Sequence, residues 1–352
     1  MSALETNKVH NMDWVEGAYL LPAKSVNLII ADPPYFEVKG AFDFIWDSFD
    51  DYLKDAEKWA KACKHLLADN GSLFVYGHAK KIAYVQVIFD RLFNLENNLV
   101  WDKGSFMGLE KSEGLRSFAP CTERILMYSN EVIRTGLEEI KLDINNFKPL
   151  RDYFEYLQKS LALPKKAFLD KVGQAADHPF RWGSTQWDMP TEKTYDQLIE
   201  AFRIDLLDGF RTYEDLRREY EDLRREYEDL RREYEDLRRP FRNEFSLREV
   251  FTFSNEAGKT GAKYDHDTVK PETLTRALIL TCSKKGDLVL VPFAGSGTEC
   301  AMAAKEGREF IGFDVVEKYC KMANDRTAVF LNNRQISILD AIATSNQTQA
   351  VL

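Results

Sequence analysis

A doubly wound, Rossmann-like α/β fold with a mainly parallel sheet is what this sequence predicts, and three observations carry the expectation. Short apolar runs alternate with stretches whose apolar residues recur at helical spacing. The alternation breaks off near residue 141, resumes near residue 252, and the two blocks read as halves of one sheet. Two of the apolar runs lead directly into turns rich in proline or glycine, the usual sign of a ligand crevice at a strand end.

In chain order, strands are expected at Val26–Ala31, 72–76, 98–101 and 124–128, with helices over 52–67 and 79–92 between them. Asn70-Gly71 marks the turn after the first of these helices. Downstream come a helix over 271–282, a strand at 287–291, a helix over 297–305 and a strand at 309–313.

The middle, 141–251, has little strand signal except near its end and reads as a mostly helical insert. A helix over 167–175, a turn-rich stretch over 177–187 and a helix over 194–202 fit either a helix-turn-helix DNA reader or a packed helical domain. Inside the insert lies a heptad repeat, Tyr-Glu-Asp-Leu-Arg-Arg-Glu, starting at Tyr213, Tyr220 and Tyr227, with a partial copy from Tyr234 that Pro240 closes. Its Tyr and Leu residues alternate at spacings of three and four and form one stripe along a helix over 213–239. That stripe fits a coiled coil between two copies of the chain, hence a homodimer, or a face laid on the chain's own domains. The division expected is therefore 1–140 and 252–330 as the halves of a catalytic domain, 141–251 as an insert, and 331–352 as a polar tail.

The chain has 352 residues, 44% hydrophobic and 30% charged, which excludes a wholly disordered or collagen-like protein. No apolar run approaches the roughly 20 residues of a membrane span, so no membrane partner is expected. Cys63, Cys121, Cys282, Cys300 and Cys320 form no close pair, and His10, His65, His78, His178 and His266 show no ligand spacing. Neither a disulfide framework nor a metal site is expected, and a reducing cytoplasm is the simplest location. The net charge of −9 argues against coating nucleic acid by bulk charge but leaves room for a local basic cleft; the heptad segment alone carries a third of it.

Two motifs carry chemistry. Asp32-Pro33-Pro34-Tyr35 follows the strand Val26–Ala31. The two prolines fix φ and remove two N–H donors, leaving the carbonyls of Asp32 and Pro33 and the Asp32 carboxylate as a rigid cluster of acceptors. An exocyclic amino group, with two N–H donors, is its natural complement, and Tyr35 offers a flat face to a base lifted from its duplex. A proline-stiffened loop is the plainer alternative. The second motif, Phe293-Ala294-Gly295-Ser296-Gly297-Thr298, follows a strand and opens a helix. Its glycines permit a tight turn and close backbone approach, and the helix N-terminus offers N–H groups to an anion. Asp314, 17 residues after Gly297, ends the next strand, where an acid meets ribose hydroxyls or else caps a helix.

These residues resemble the amino-group-directed DNA methyltransferases that use S-adenosylmethionine. Asp32 to Tyr35 resemble the catalytic motif of that family and Phe293 to Thr298 its cofactor loop, with Thr268 and Lys270-Pro271 ahead of the loop and Arg308 to Asp314 after it. The order, catalytic motif first and insert between, is similar to the β class. The resemblance implies that Asp32, Pro33, Pro34 and Tyr35 are catalytic. It implies that Asp13, Thr268, Lys270, Phe293, Ala294, Gly295, Ser296, Gly297, Thr298 and Asp314 bind cofactor, with Phe293 against the adenine. It also implies methylation of adenine N6 in double-stranded DNA after base flipping, with cytosine N4 as an alternative. A catalytically idle DNA-binding scaffold is the rival of another class. Val291 departs from the pattern, since the family usually has Asp there. DNA contacts are expected from Lys165, Lys166, Arg181, Arg203 and Arg211 in the insert. Lys103, Lys111 and Arg116 flank a loop at 104–117 that would close over the base. Trp182 and Trp187 either read bases or pack the insert.

Overall fold

The computed structural model describes residues 4–38, 41–104, 118, 120–130, 147–254 and 269–349. The chain divides into two compact units, Met1–Val132 with Arg239–Leu352, and Ile133–Arg238.

The first unit is built on one sheet of eight strands. These are β1 (Lys8–Asn11), β2 (Val26–Ala31), β3 (Leu67–Gly77), β4 (Asn94–Asp102), β5 (Thr122–Ser129), β6 (Val250–Thr252), β7 (Leu288–Val291) and β8 (Glu309–Asp314), in the spatial order β1-β8-β7-β2-β3-β5-β4-β6. All neighbours are parallel except at β5, which runs antiparallel to both β3 and β4. Both predicted blocks of strands are therefore in one sheet, and they meet where β2 pairs with β7. From that line the chain winds outward in one direction through β3 and in the other through β8. This is the switch point at which an open α/β sheet binds ligands beyond its strand ends.

Helices α1 (Trp14–Ala18), α2 (Phe49–Leu66) and α3 (Ile82–Phe89) precede the insert. Ser48 caps α2 by accepting from the Asp51 N–H, acidic Asp50 and Asp51 lie in its first turn, and Lys64 and His65 in its last, all favourable to the helix dipole. Tyr52, Ala56, Trp59, Ala60 and Cys63 recur at helical spacing and are buried in one core layer with Ile29, Leu73 and Val75 of the sheet. The sheet's other layer holds Leu28, Ile30, Phe74, Tyr76, Trp101 and Ile125 together with Leu274, Leu278 and Ile279.

Two expectations are corrected. Asn70-Gly71 is no turn: β3 begins at Leu67 and runs through it, and a register shift opposite Val26 and Leu28 takes up the extra residues as an irregularity within the strand. Residues 331–349 of the polar stretch continue the helix that spans Glu317–Gln349. The helix-turn-helix reading fails in the second unit, where residues 173–191 separate the two helices in question, far more than the tight turn such a motif needs.

Among the described residues, that second unit has four α-helices, α4 (Lys148–Ser160), α5 (Lys165–Val172), α6 (Glu192–Phe202) and α7 (Tyr213–Leu237). They enclose a core of Leu150, Phe154, Leu157, Phe168, Tyr195, Leu198 and Leu216. The Tyr153 and Tyr195 hydroxyls, 2.6 Å apart, satisfy each other inside it. The heptad stripe on α7 lies against this core over its first half: Leu216 is fully buried, Tyr213, Tyr220, Leu223 and Tyr227 pack around it, and Leu230 is exposed.

Helices α8 (Glu272–Cys282), α9 (Thr298–Lys305) and α10 (Glu317–Gln349) follow in the first unit.

Candidate active site

Strand register decides what meets at the end of the sheet. Leu28 and Ile29 of β2 lie beside Val289 and Leu290 of the parallel β7, so Asp32-Pro33 and Pro292-Phe293 leave the sheet side by side. Val291 pairs with Gly312 of β8, which brings Asp314 level with Phe293. Asn11 of β1 pairs with Asp314, and Asp13 follows at the same end. The antiparallel β5 brings its beginning here: Tyr76 faces Ile125, and Trp101 faces Glu123.

Side-chain alternation then selects the face. Asp32 continues the row of Leu28 and Ile30, and Glu123 precedes Ile125 in the same layer. Between them the structure forms a closed ring. The Tyr35 hydroxyl donates to Asp32 Oδ1 at 2.7 Å and lies 3.4 Å from Glu123 Oε2. Lys270 Nζ is 2.8 Å from Asp32 Oδ2 and 3.2 Å from Glu123 Oε2. Lys103 forms an ion pair with the other oxygen of Glu123. Lys270 Nζ also stands 5.0 Å from the Tyr76 ring centre, 5.7 Å from that of Tyr35 and 6.0 Å from that of Trp101, so three aromatic faces and two carboxylates enclose one buried ammonium.

The charges follow from this arrangement. Burial opposes ionisation of Glu123, yet Lys270 and Lys103 outweigh it and bring the carboxyl down to about 2. Burial likewise disfavours the Lys270 ammonium, and Asp32 and Glu123 overcome it to hold the group above the ordinary lysine range. Burial, then the Asp32 and Glu123 charges, push the Tyr35 hydroxyl well up, so it remains a donor. The Tyr35 N–H donates to Asp43 Oδ1 at 2.5 Å, and the Asp43 carbonyl accepts from Glu37, which fixes the chain just after Pro34.

The glycine loop lies beside this ring. Gly295 and Gly297 adopt φ of 47° and 74°, and a Cβ on Gly297 would stand 2.5 Å from the Ala323 Cβ, so only glycine fits there. Asp314 holds the loop, its Oδ2 accepting from the Gly295 N–H at 2.9 Å and its Oδ1 from the Val316 N–H at 2.8 Å. Ser296 and Thr298 are buried, their hydroxyls 3.2 Å apart, and Arg326 donates to the Ser296 carbonyl and the Thr298 hydroxyl. Phe293 meets Trp14 and Trp59 edge-on, at 5.8 and 5.3 Å between ring centres, and Ala294 is buried. Asp13 caps α1, accepting from the Val15 and Glu16 N–H groups. Val291 is buried in the layer with Leu28 and Ile30. Thr268, Lys111, Arg116 and the loop at 105–117 lie outside the described residues.

Glu123 and Glu299 were not anticipated. Glu123 begins an antiparallel strand, whereas attention to the exits of parallel strands points elsewhere; its only sequence signal is an acid opening an otherwise apolar run. Glu299, in the first turn of α9, is 5% exposed, and its Oε1 has no hydrogen-bond partner among the described residues. In the second unit, Lys165 and Arg181 both pair with Asp177, Arg203 pairs with Asp205 and Arg211 with Glu219. Trp187 is buried, with Arg151 over its ring, and the Trp182 ring nitrogen donates to Gln158. Among the described residues there is no helix long and apolar enough to cross a membrane, and no group of three or more His, Cys, Asp or Glu residues placed to hold a metal.

The DNA methylase family N6_N4_Mtase matches residues 26–325. The type II methyltransferase M1.MboII of Moraxella bovis is 26% identical over 91% of this chain and 96% of its own. The DNA adenine methyltransferase YhdJ of Escherichia coli K12 is 24% identical over 88% of this chain and 78% of its own. Among solved structures, TTHA0409 of Thermus thermophilus, crystallised with S-adenosyl-L-methionine, is 19% identical at a TM-score of 0.48, covering 92% of this chain and 95% of that one. The family match spans both motifs and most of the chain, and the protein belongs to the DNA methylase family, as an S-adenosylmethionine-dependent, amino-group-directed DNA methyltransferase.

Proposed function

We propose that the protein methylates adenine N6 at a specific sequence in duplex DNA, acting on a base flipped out of the helix, as the modifying partner in a restriction–modification pair. The observation that carries this reading is the Asp32 carboxylate beside the prolines, held by Tyr35 and Lys270 next to a glycine loop at the switch point. A relative named as a DNA adenine methyltransferase, YhdJ, supports adenine over cytosine.

The residues of the loop fit the cofactor. Gly297 has no room for a side chain, and α9 opens with no side-chain cap, which leaves N–H groups for a ligand carboxylate. Asp314 would take the ribose hydroxyls, and Phe293, already in an aromatic cluster, would pack on the adenine, with Asp13 at its edge and Lys270 and Thr268 completing the site. S-adenosylmethionine supplies an electrophilic methyl group on a sulfonium. Asp32 and the Pro33 carbonyl would accept the two amino hydrogens of adenine, drawing its lone pair out of ring conjugation toward the methyl carbon. Methyl transfer would form the N–CH3 bond on that pair while the S–CH3 pair stays with sulfur, and the surplus amino proton would pass to water. Tyr35 would stack on the base while its hydroxyl holds Asp32.

Lys165, Lys166, Arg181, Arg203 and Arg211 would exchange some of their present carboxylate partners for phosphates. A homodimer through the outer part of α7, where Leu230 is exposed, and a cytoplasmic, nucleoid-bound location complete the reading. Label transfer from tritiated S-adenosylmethionine to unmethylated genomic DNA, with the product nucleosides separated by mass, tests it. N6-methyladenine is expected; N4-methylcytosine would overturn the choice of base, and DNA binding without transfer would favour an idle scaffold.

A further inference from the structure

Glu123 has no part in the reaction as derived above, yet it closes the ring around Asp32. Its Oε2 is 3.2 Å from Lys270 Nζ and 3.4 Å from the Tyr35 hydroxyl, and its Oε1 pairs with Lys103. Trp101, directly opposite in β4, has its ring nitrogen fixed by the Phe253 carbonyl at 2.9 Å, and Lys103 Nζ stands 5.3 Å from that ring. Two cations thus face two carboxylates, and nearby Arg326 pairs with Glu272. Without Glu123, Lys103 would lose its carboxylate partner, and Lys270 would be left to Asp32 and to Glu299, whose burial favours its neutral form. A group meant to receive amino hydrogens would be overdrawn by Lys270, and a site meant to hold a sulfonium beside a nitrogen gaining positive charge would carry an excess cation.

We propose that Glu123 is a positioning residue for methyl transfer, sharing Lys270 and Lys103 so that Asp32 stays oriented and the pocket tolerates the positive charge of S-adenosylmethionine. This rests on the placement of the reaction at Asp32 given above. The sulfonium of the cofactor is charged and the thioether of S-adenosylhomocysteine is not, so the two ligands distinguish charge balance from shape.

The test is calorimetric binding of both ligands to the wild-type protein and to Glu123→Gln and Lys103→Gln, with thermal melts to establish folding. Glu123→Gln is expected to weaken S-adenosylmethionine about tenfold more than S-adenosylhomocysteine, the scale of one unscreened charge in a partly buried site. Lys103→Gln is expected to move the ratio the opposite way. Equal weakening of both ligands by Glu123→Gln would make the residue merely structural and overturn the proposal. If that variant does not fold, Lys103→Gln decides, and an unmoved ratio overturns the proposal. Folded wild-type protein that binds neither ligand would instead remove the cofactor reading and this proposal with it.

Discussion

Glu299 is an acid whose surroundings favour its neutral form: burial, then the nearby Asp32 charge, raise its carboxyl to about 7, against opposing effects from Lys270 and Arg326. A raised pKa stabilises the fold below the ordinary glutamate value, and that contribution is lost as pH rises through about 7, because the unfolded chain gives up the proton first. Glu299→Gln imitates the neutral form, so it should stabilise the protein at pH 8 by roughly 2 to 3 kcal/mol and much less at pH 5. Urea midpoints at the two pH values check this, and an equal effect at both would contradict it. Gly297→Ala should destabilise by about 2 to 4 kcal/mol, since the left-handed backbone and the approach to Ala323 both resist a Cβ. Denaturant melts measure that loss, and weakened S-adenosylhomocysteine binding should accompany it. At this scale Asp32 and the glycines were legible because their chemistry is local: consecutive prolines and φ-positive glycines constrain the chain wherever they occur. Lys270 was legible only through its resemblance to a family pattern, and Glu123 hardly at all, because its partners Lys103, Tyr35 and Lys270 lie 20, 88 and 147 residues away and belong to other elements.

The helix α7 shows how an element can be plain in sequence while its partner is not. Its heptads predict a helix and a stripe; a helix spans Tyr213–Leu237, and Tyr213, Leu216, Tyr220, Leu223 and Tyr227 of the stripe pack against the unit's core, but the period does not say what the stripe touches. Leu216 meets Leu198 and Tyr195 in the core of its own unit, and the Tyr220 ring stands 5.4 Å from that of Phe147. Leu216→Ala should therefore cost about 2 to 5 kcal/mol, whereas Leu230→Ala, at an exposed position of the same stripe, should stay within about 0.5 kcal/mol for the isolated chain. Equilibrium unfolding followed by the insert's tyrosine and tryptophan fluorescence compares them. Sedimentation of the wild type and of Leu230→Glu over a range of concentrations tests the homodimer: loss of a dimer in the variant supports it, and a wild-type monomer throughout removes it. Elements with a period and bounded ends, such as Val26–Ala31, were read to the residue. The end of the 52–67 stretch was misjudged by one residue because Leu67, apolar and buried, suits either the last turn of a helix or the first residue of a strand.

On the scale of the molecule, the site depends on pairings no single element specifies. Joining β2 to β7 places residues 32 and 293 together across an intervening insert, and inserting β5 antiparallel between β3 and β4 turns the start of a strand toward the end where the others finish. The alternation of apolar runs and helices was enough to predict a doubly wound sheet. It was silent on strand order and on the reversed strand, because an apolar run reads the same in either direction. The measurement that tests the assignment most directly is label transfer from S-adenosylmethionine to DNA by the wild type and by Asp32→Ala, with DNA and cofactor binding measured on the same preparations. Transfer should fall by at least about a thousandfold while DNA binding stays within a few fold, as expected when the acceptor for the reacting amino group is removed. A folded Asp32→Ala protein that still methylates at a comparable rate would show that the chemistry lies elsewhere.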